Sequence, residues 1–131
     1  MAITQAVANS FKTEVLTAVH NFTATTGDTF KIALFTSSAT LSKSTTAYSA
    51  TNEVSGTGYS SGGNTLTSVT PVLSTDTAVC DFADSSWTTA TITARGALIY
   101  NSSQSDKAVV VLDFGGDKTS TAGTFTIQFP A

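Results

Sequence analysis

The chain has 131 residues, enough for one domain with a sizeable core, and only 11% of them are charged, against roughly 25% in an average soluble protein. Ser and Thr make up about a third of the sequence, 40% is hydrophobic and the net charge is −3, a balance that excludes a highly charged disordered chain. The six basic residues, Lys12, Lys31, Lys43, Arg95, Lys107 and Lys118, are scattered, so nucleic-acid binding lacks its electrostatic footprint; no apolar run approaches the roughly 20 residues of a membrane-spanning helix.

The first segment carries a helical period. Ile3, Val7, Phe11, Val15, Val19 and Phe22 recur every three or four residues, with Ala6, Leu16 and Ala18 beside them and Gln5, Ser10, Lys12, Glu14, Thr17 and Asn21 opposite. This predicts an amphipathic helix of about five turns over 1–23, closed by the polar run 23–28. The segment lacks the basic start and apolar centre of a signal peptide, so the expectation is a chain made in the cytoplasm and soluble until it is assembled.

From residue 29 the period changes to two, predicting a β domain over 29–131. Phe30, Ile32 and Leu34 alternate with Lys31, Ala33 and Phe35, as in a half-buried strand. Residues 36–63 are rich in Ser, Thr and Gly, with Tyr48, Val54 and Tyr59 as large anchors, and read as a long ordered surface loop. Strands follow at 65–70, where Pro71 marks an edge or an end, and at 77–82. The run 89–100 is long and interrupted by Gly96, which predicts a bulge. A polar hairpin loop at 101–106 returns into the apolar strand 108–112, Gly115 and Gly116 begin a turn, and Phe125, Ile127 and Phe129 alternate at the end.

Six to eight short strands with regular turn signals predict a mainly β fold, an antiparallel β-sandwich or barrel-like domain with one N-terminal amphipathic α-helix. The predicted core is Phe30, Ile32, Leu34, Phe82, Ile92, Leu98, Val109, Val111, Phe125 and Ile127. Cys80, the only cysteine, excludes a disulfide framework and reads as a small buried hydrophobe, because no Lys, Arg or His adjoins it to favour the thiolate.

Each apparent catalytic motif fails its structural test. Gly58-Tyr59-Ser60-Ser61-Gly62 matches the serine-hydrolase elbow, yet a strand-like run follows it instead of a helix, and the only histidine, His20, lies upstream. Asp113-Phe114-Gly115 spells a kinase tripeptide without a phosphate loop or catalytic loop. The pairs Asp81/Asp84 and Asp113/Asp117 lack the alternating spacing of a calcium loop. His20 reads as a polar residue near the helix C-terminus, where its charged form would meet the dipole. The expectation is no catalytic residue, no cofactor and no metal. Tyr48, Tyr59 and Trp87 leave a glycan- or receptor-binding module as an alternative, although core packing is the plainer role for such rings.

Several segments carry a likeness in their order: Lys31-Ile32-Ala33-Leu34-Phe35-Thr36-Ser37, then Asn52-Glu53-Val54-Ser55-Gly56-Thr57-Gly58-Tyr59 with Gly62-Gly63. Trp87, Thr93-Ala94-Arg95-Gly96-Ala97-Leu98-Ile99-Tyr100, Leu112-Asp113-Phe114-Gly115 and Gly123-Thr124-Phe125-Thr126-Ile127-Gln128-Phe129 continue it. Together they resemble a widespread family of small virion structural proteins of tailed bacteriophages, many from marine phages. The resemblance implies a non-enzymatic virion component, foremost a capsid decoration or cement protein bridging capsid subunits. The alternative it implies is a tail, baseplate or fibre-base component. Its partners would be copies of itself and other virion proteins such as the major capsid protein or tail proteins, with no nucleic acid and no membrane. Within such an assembly the expected contact is the helix stripe Ile3, Val7, Phe11, Val15, Leu16 and Val19, which the inner faces of a sandwich leave uncovered.

Overall fold

The structure is a computed structural model and describes residues 2–130; Met1, the first residue of the predicted helix, and Ala131, the last of the predicted β domain, lie outside the described residues. Among the described residues, seven strands and one helix follow in the order β1 (Ala6–Val7), α1 (Asn9–Leu16), β2 (Phe30–Phe35), β3 (Asn64–Thr65), β4 (Ser68–Ser74), β5 (Thr77–Phe82), β6 (Ser85–Asn101) and β7 (Lys107–Ile127). The fold is mainly β and antiparallel. Five strands form one sheet in the order β1-β7-β6-β2-β3, and β4 pairs with β5 alone as a two-stranded ribbon. The sheet does not close into a barrel, since β1 and β3 remain its edges.

The long β6–β7 hairpin is the spine. It turns at the polar loop 102–106, and its register shifts between Ala94 and Gly96, at the predicted bulge. Glycine is required there: a Cβ on Gly96 would come 2.5 Å from the Leu112 carbonyl oxygen and 2.9 Å from Ile3 Cγ2. Ile3 thus sits against a notch that only glycine leaves open. On the other strand, β7 runs through Gly115 and Gly116 with extra residues looped out of the ladder, where a turn was expected.

Both faces of the sheet are covered, which fills the core in two layers. One face packs Phe30, Ile32, Leu34 and Ile99 with Val54, Leu66, Phe82, Trp87, Phe125 and Ile127. The other packs Ala33, Phe35, Leu98, Tyr100 and Val111 with Ile3, Ala8, Ala39 and Leu41. All ten predicted core residues are buried. The half-buried reading of β2 needs correcting, because Ala33 and Phe35 are buried as well. The N-terminal segment and the loop after β2 cover the face that sequence periodicity assigned to water.

The predicted five-turn helix over 1–23 is instead the eight-residue α1. Upstream, extended pairing takes the chain: Thr4 N–H donates to the Leu41 carbonyl at 2.9 Å, and Ala6 and Val7 pair with Val111 and Val110. Downstream, Ala18 adopts a left-handed φ of 60° and ends the helix. Its N–H donates to Val15 O at 3.3 Å while Val19 N–H donates to Glu14 O at 3.0 Å, the double closure of a Schellman cap. Glycine ordinarily occupies that position, and alanine there conceals the stop from a sequence reading. Ala18→Gly is therefore expected to stabilise the protein by about 1 kcal/mol, read as a higher midpoint in urea.

Candidate functional site

The six helix-stripe residues do not share one face. Ile3 is buried under the sheet beside Leu41, and Phe11 is half-buried with its ring 4.8 Å from His20 and 5.9 Å from Phe22. Val7 lies on β1, and Val19 is half-buried beyond the helix end. Only Val15 and Leu16 stand out from α1 into solvent, Leu16 at 86% exposure. Shortening the helix destroyed the stripe: Ile3 bridges Leu41, Val7 joined β1, and Val19 lies half-buried beyond the cap.

The larger exposed apolar surface lies elsewhere, on the β4–β5 ribbon. Every residue from Val69 to Cys80 is exposed, including Val69, Val72 at 61%, Leu73 at 72% and Val79. The ribbon is anchored at its base, where Phe82 is buried with its ring 5.8 Å from both Phe30 and Phe129, and Ala83 N–H donates to Thr67 O at 3.0 Å. Thr70 Oγ1 accepts from Ala24 N–H at 3.0 Å, and from there the ribbon runs out to a two-residue turn at Thr75 and Asp76. Pro71 falls at its register shift between Val69 and Val72, the edge position expected of proline. Cys80 is on this ribbon and is exposed, correcting the buried reading; partial burial, then the neighbouring Asp81 charge, push its thiol pKa upward.

Beside β5 runs an apolar trough. A groove of about 430 Å³ is lined by Val79 and Phe82 on the ribbon, Ile99, Val110 and Leu112 on the sheet, and Phe129. A second groove of about 380 Å³ joins it at Leu112 and continues past Phe114 and Phe125 to Lys118.

The residues with possible chemistry are tied into the fold. His20 is past the helix end rather than on its last turn, and its side chain is fully buried. Its Nε2 meets Glu14 Oε1 at 2.9 Å and its Nδ1 meets Asn101 Nδ2 at 2.9 Å. Asn101 also donates to Asp28 Oδ2 at 2.8 Å while its Oδ1 accepts from Ser103 N–H at 3.0 Å. That leaves Nδ1 to accept and Nε2 to donate, the neutral imidazole tautomer. For Asp28, burial opposes the charge, but donors on Asn101, Asn21 and Gln104 hold its carboxyl below the usual range. This chain of side chains joins α1, the approach to β2 and the β6–β7 turn.

A second polar cluster, invisible in the periodicity, forms around Glu53. Tyr48 and Tyr59 hydroxyls donate to its two oxygens at 2.6 Å each, and Ser61 Oγ and Gly62 N–H donate at 2.8 Å. The elbow-like Gly58–Gly62 run is thus a loop clasped by a carboxylate, with Ser60 exposed and β3 after it. Tyr48 stacks on Tyr100 at 4.6 Å and Tyr59 on Trp87 at 5.9 Å, so these rings meet one another. Asp81, Asp84 and Asp113 each accept a backbone N–H, and Asp113 also accepts from Arg95 Nε at 3.1 Å. The Gly115 N–H first, then Arg95, hold the Asp113 carboxyl below its usual range. Among the described residues no group of three or more His, Cys, Asp or Glu is placed to hold a metal, and no helix is long and apolar enough to cross a membrane.

No family model, no curated protein and no solved structure matches the chain.

Proposed function

We propose that the chain is a non-enzymatic structural subunit that works by docking against other protein subunits. In keeping with the sequence resemblance, it is a virion component of a tailed bacteriophage, a decoration or cement protein bridging capsid subunits. The observation that carries the docking reading is the β4–β5 ribbon, whose Val69, Val72, Leu73 and Val79 are exposed and, among the described residues, have no third strand paired beside them. Apolar side chains gathered on one exposed ribbon in this way mark an interaction site. Val15 and Leu16 at the end of α1 add a smaller patch. A subunit that binds only the assembled lattice stabilises it by mass action.

The test is to purify particles made with the wild-type chain or with a Val72→Asp, Leu73→Asp variant. The expected result is hundreds of wild-type copies per particle, and heat-labile particles depleted of the variant. About a dozen copies or fewer would move the chain to the tail, in line with the low symmetry there. Absence of the wild-type chain from the particle would overturn the virion reading.

A further inference from the structure

The two edges of the ribbon differ. On its β4 edge the ladder is shifted between Val69 and Val72 with Pro71 inside the shift, and Thr70 is tied to Ala24. Proline and a bulge are the usual means of blocking an edge. The β5 edge, Thr77-Ala78-Val79-Cys80-Asp81, carries no proline and no cation, and the extra residue of the register shift, which falls opposite Cys80, belongs to β4. Ser74 and Thr77 close a two-residue turn, so Thr77 and Val79 bond to β4 and the alternation turns the N–H and C=O of Ala78 and Cys80 outward. Among the described residues, no backbone group outside the ribbon bonds to either. Beyond its pairing with β1, the outer edge of β7 is looped between Asp113 and Lys118 with Asp117 in the loop.

We propose that the β5 edge pairs antiparallel with the β5 edge of a second copy about a twofold axis at Val79, joining two ribbons into one four-stranded sheet. Antiparallel pairing of a strand with itself is isologous, so one geometry satisfies both copies and closes the assembly. The axis at Val79 sets Ala78 opposite Cys80 of the other copy, matching outward donors to outward acceptors on both sides. It also keeps the two Asp81 carboxylates apart, each beyond the centre by two residues.

The second copy is the occupant because of where this edge lies. Val79 to Phe82 form one wall of the apolar trough, so a strand added to β5 is laid over Ile99, Val110, Leu112 and Phe129. A seven-residue ribbon is about 24 Å long and about 10 Å wide. Covering one face of each ribbon and both troughs removes roughly 1,000 Å² from water, the lower bound for a specific interface. One ribbon on an unrelated flat surface would cover about half of that. No cation lies anywhere between Lys43 and Arg95, so the two ribbons themselves bring no like-charged pair of lysines or arginines to the axis.

This inference rests on the docking reading and names its first partner. Light scattering on the purified full chain, across a concentration series, should give twice the 13.4 kDa chain mass at the upper end. Cys80→Pro takes an outward N–H from the edge, and Ala78→Lys places a cation beside the axis in each copy; both should give the single-chain mass with unchanged circular dichroism. Should either variant unfold, the wild-type protein still decides: alkylation of Cys80, the sole cysteine, by iodoacetamide should slow as protein concentration rises. A wild-type chain of single mass at all concentrations, variants that remain dimeric, or concentration-independent alkylation would each overturn the pairing. A single-mass chain that still occurs in purified particles would overturn the pairing and leave the docking reading standing, whereas a dimer absent from particles would sink the virion reading alone.

Discussion

Phe30→Ala is expected to destabilise the protein by about 3–5 kcal/mol, a large part of the roughly 5–15 kcal/mol that holds a domain of this size. Phe30 is fully buried, and its ring stacks on Phe22 at 4.3 Å and lies 5.8 Å from Phe82 and 6.3 Å from His20. Truncation leaves a cavity under three rings that are fixed from different directions: Phe22 by the segment after the helix, Phe82 by the base of the ribbon, His20 by Glu14 and Asn101. None can collapse inward without breaking a hydrogen bond or a ladder, so relaxation recovers little. Thermal unfolding should show the loss as a midpoint lower by roughly 10–20 °C. Leu73→Ala on the exposed ribbon removes comparable apolar volume yet should change the midpoint by less than about 0.5 kcal/mol equivalent. Equal losses at the two positions would show that the ribbon packs on its own domain.

The contrast between those two residues also shows what was legible in the sequence. The buried strands announced themselves, since Phe30, Ile32 and Leu34, or Phe125 and Ile127, alternate with residues that suit the opposite face. The antiparallel, mainly β class followed from them, as did the bulge at Gly96. But Ala78-Val79-Cys80 reads much like Val109-Val110-Val111, and only tertiary placement separates them. The second run is flanked by β1 and β6, whereas the first has β4 alone. Burial of such a run depends on what lies beside it, and a period of two does not encode that. The helix failed for a related reason. A helical pattern at Ile3, Ala6 and Val7 lost to pairing with Leu41, Val111 and Val110, which lie 38 to 105 positions away by number. The exposed ribbon, the chief docking candidate, did leave one readable sign: two strands with Pro71 in the first and no room for a further partner before the loop at Ala83.

Glu53→Ala is expected to cost about 3 kcal/mol, although Glu53 sits on an irregular loop and is only partly buried. The carboxylate receives Tyr48, Tyr59, Ser61 and Gly62, and so pins two distant parts of the 36–63 loop to each other. It is the only acid in that segment, and two of the three tyrosines lie within six positions of it, the one sequence feature that pointed here. The same cluster ties the loop to the sheet: Tyr59 Oη accepts from Leu34 N–H at 2.9 Å, and Tyr100 Oη donates to Gly62 O at 2.7 Å. Gly63 then passes so close over β2 that an added Cβ would lie 1.8 Å from the Ile32 carbonyl oxygen. Removing the carboxylate leaves donors without partners in a segment that cannot shift to find others. Glu53→Gln, which keeps one acceptor, should lose less. Burial first, then the Glu53 hydrogen bond, push the Tyr59 pKa far up; the same two causes raise Tyr48, and burial followed by neighbouring negative charge raises Tyr100. Groups held protonated in the fold stabilise it fully below the ordinary tyrosine pKa of about 10 and progressively less above it, as the unfolded chain gives up its protons first. Absorbance at the tyrosinate band should therefore stay flat as pH passes 10 and rise together with loss of the β circular dichroism signal. In Glu53→Gln the rise should begin at lower pH. Three tyrosines titrating near pH 10 in a chain that remains folded would show that the cluster does not hold the loop.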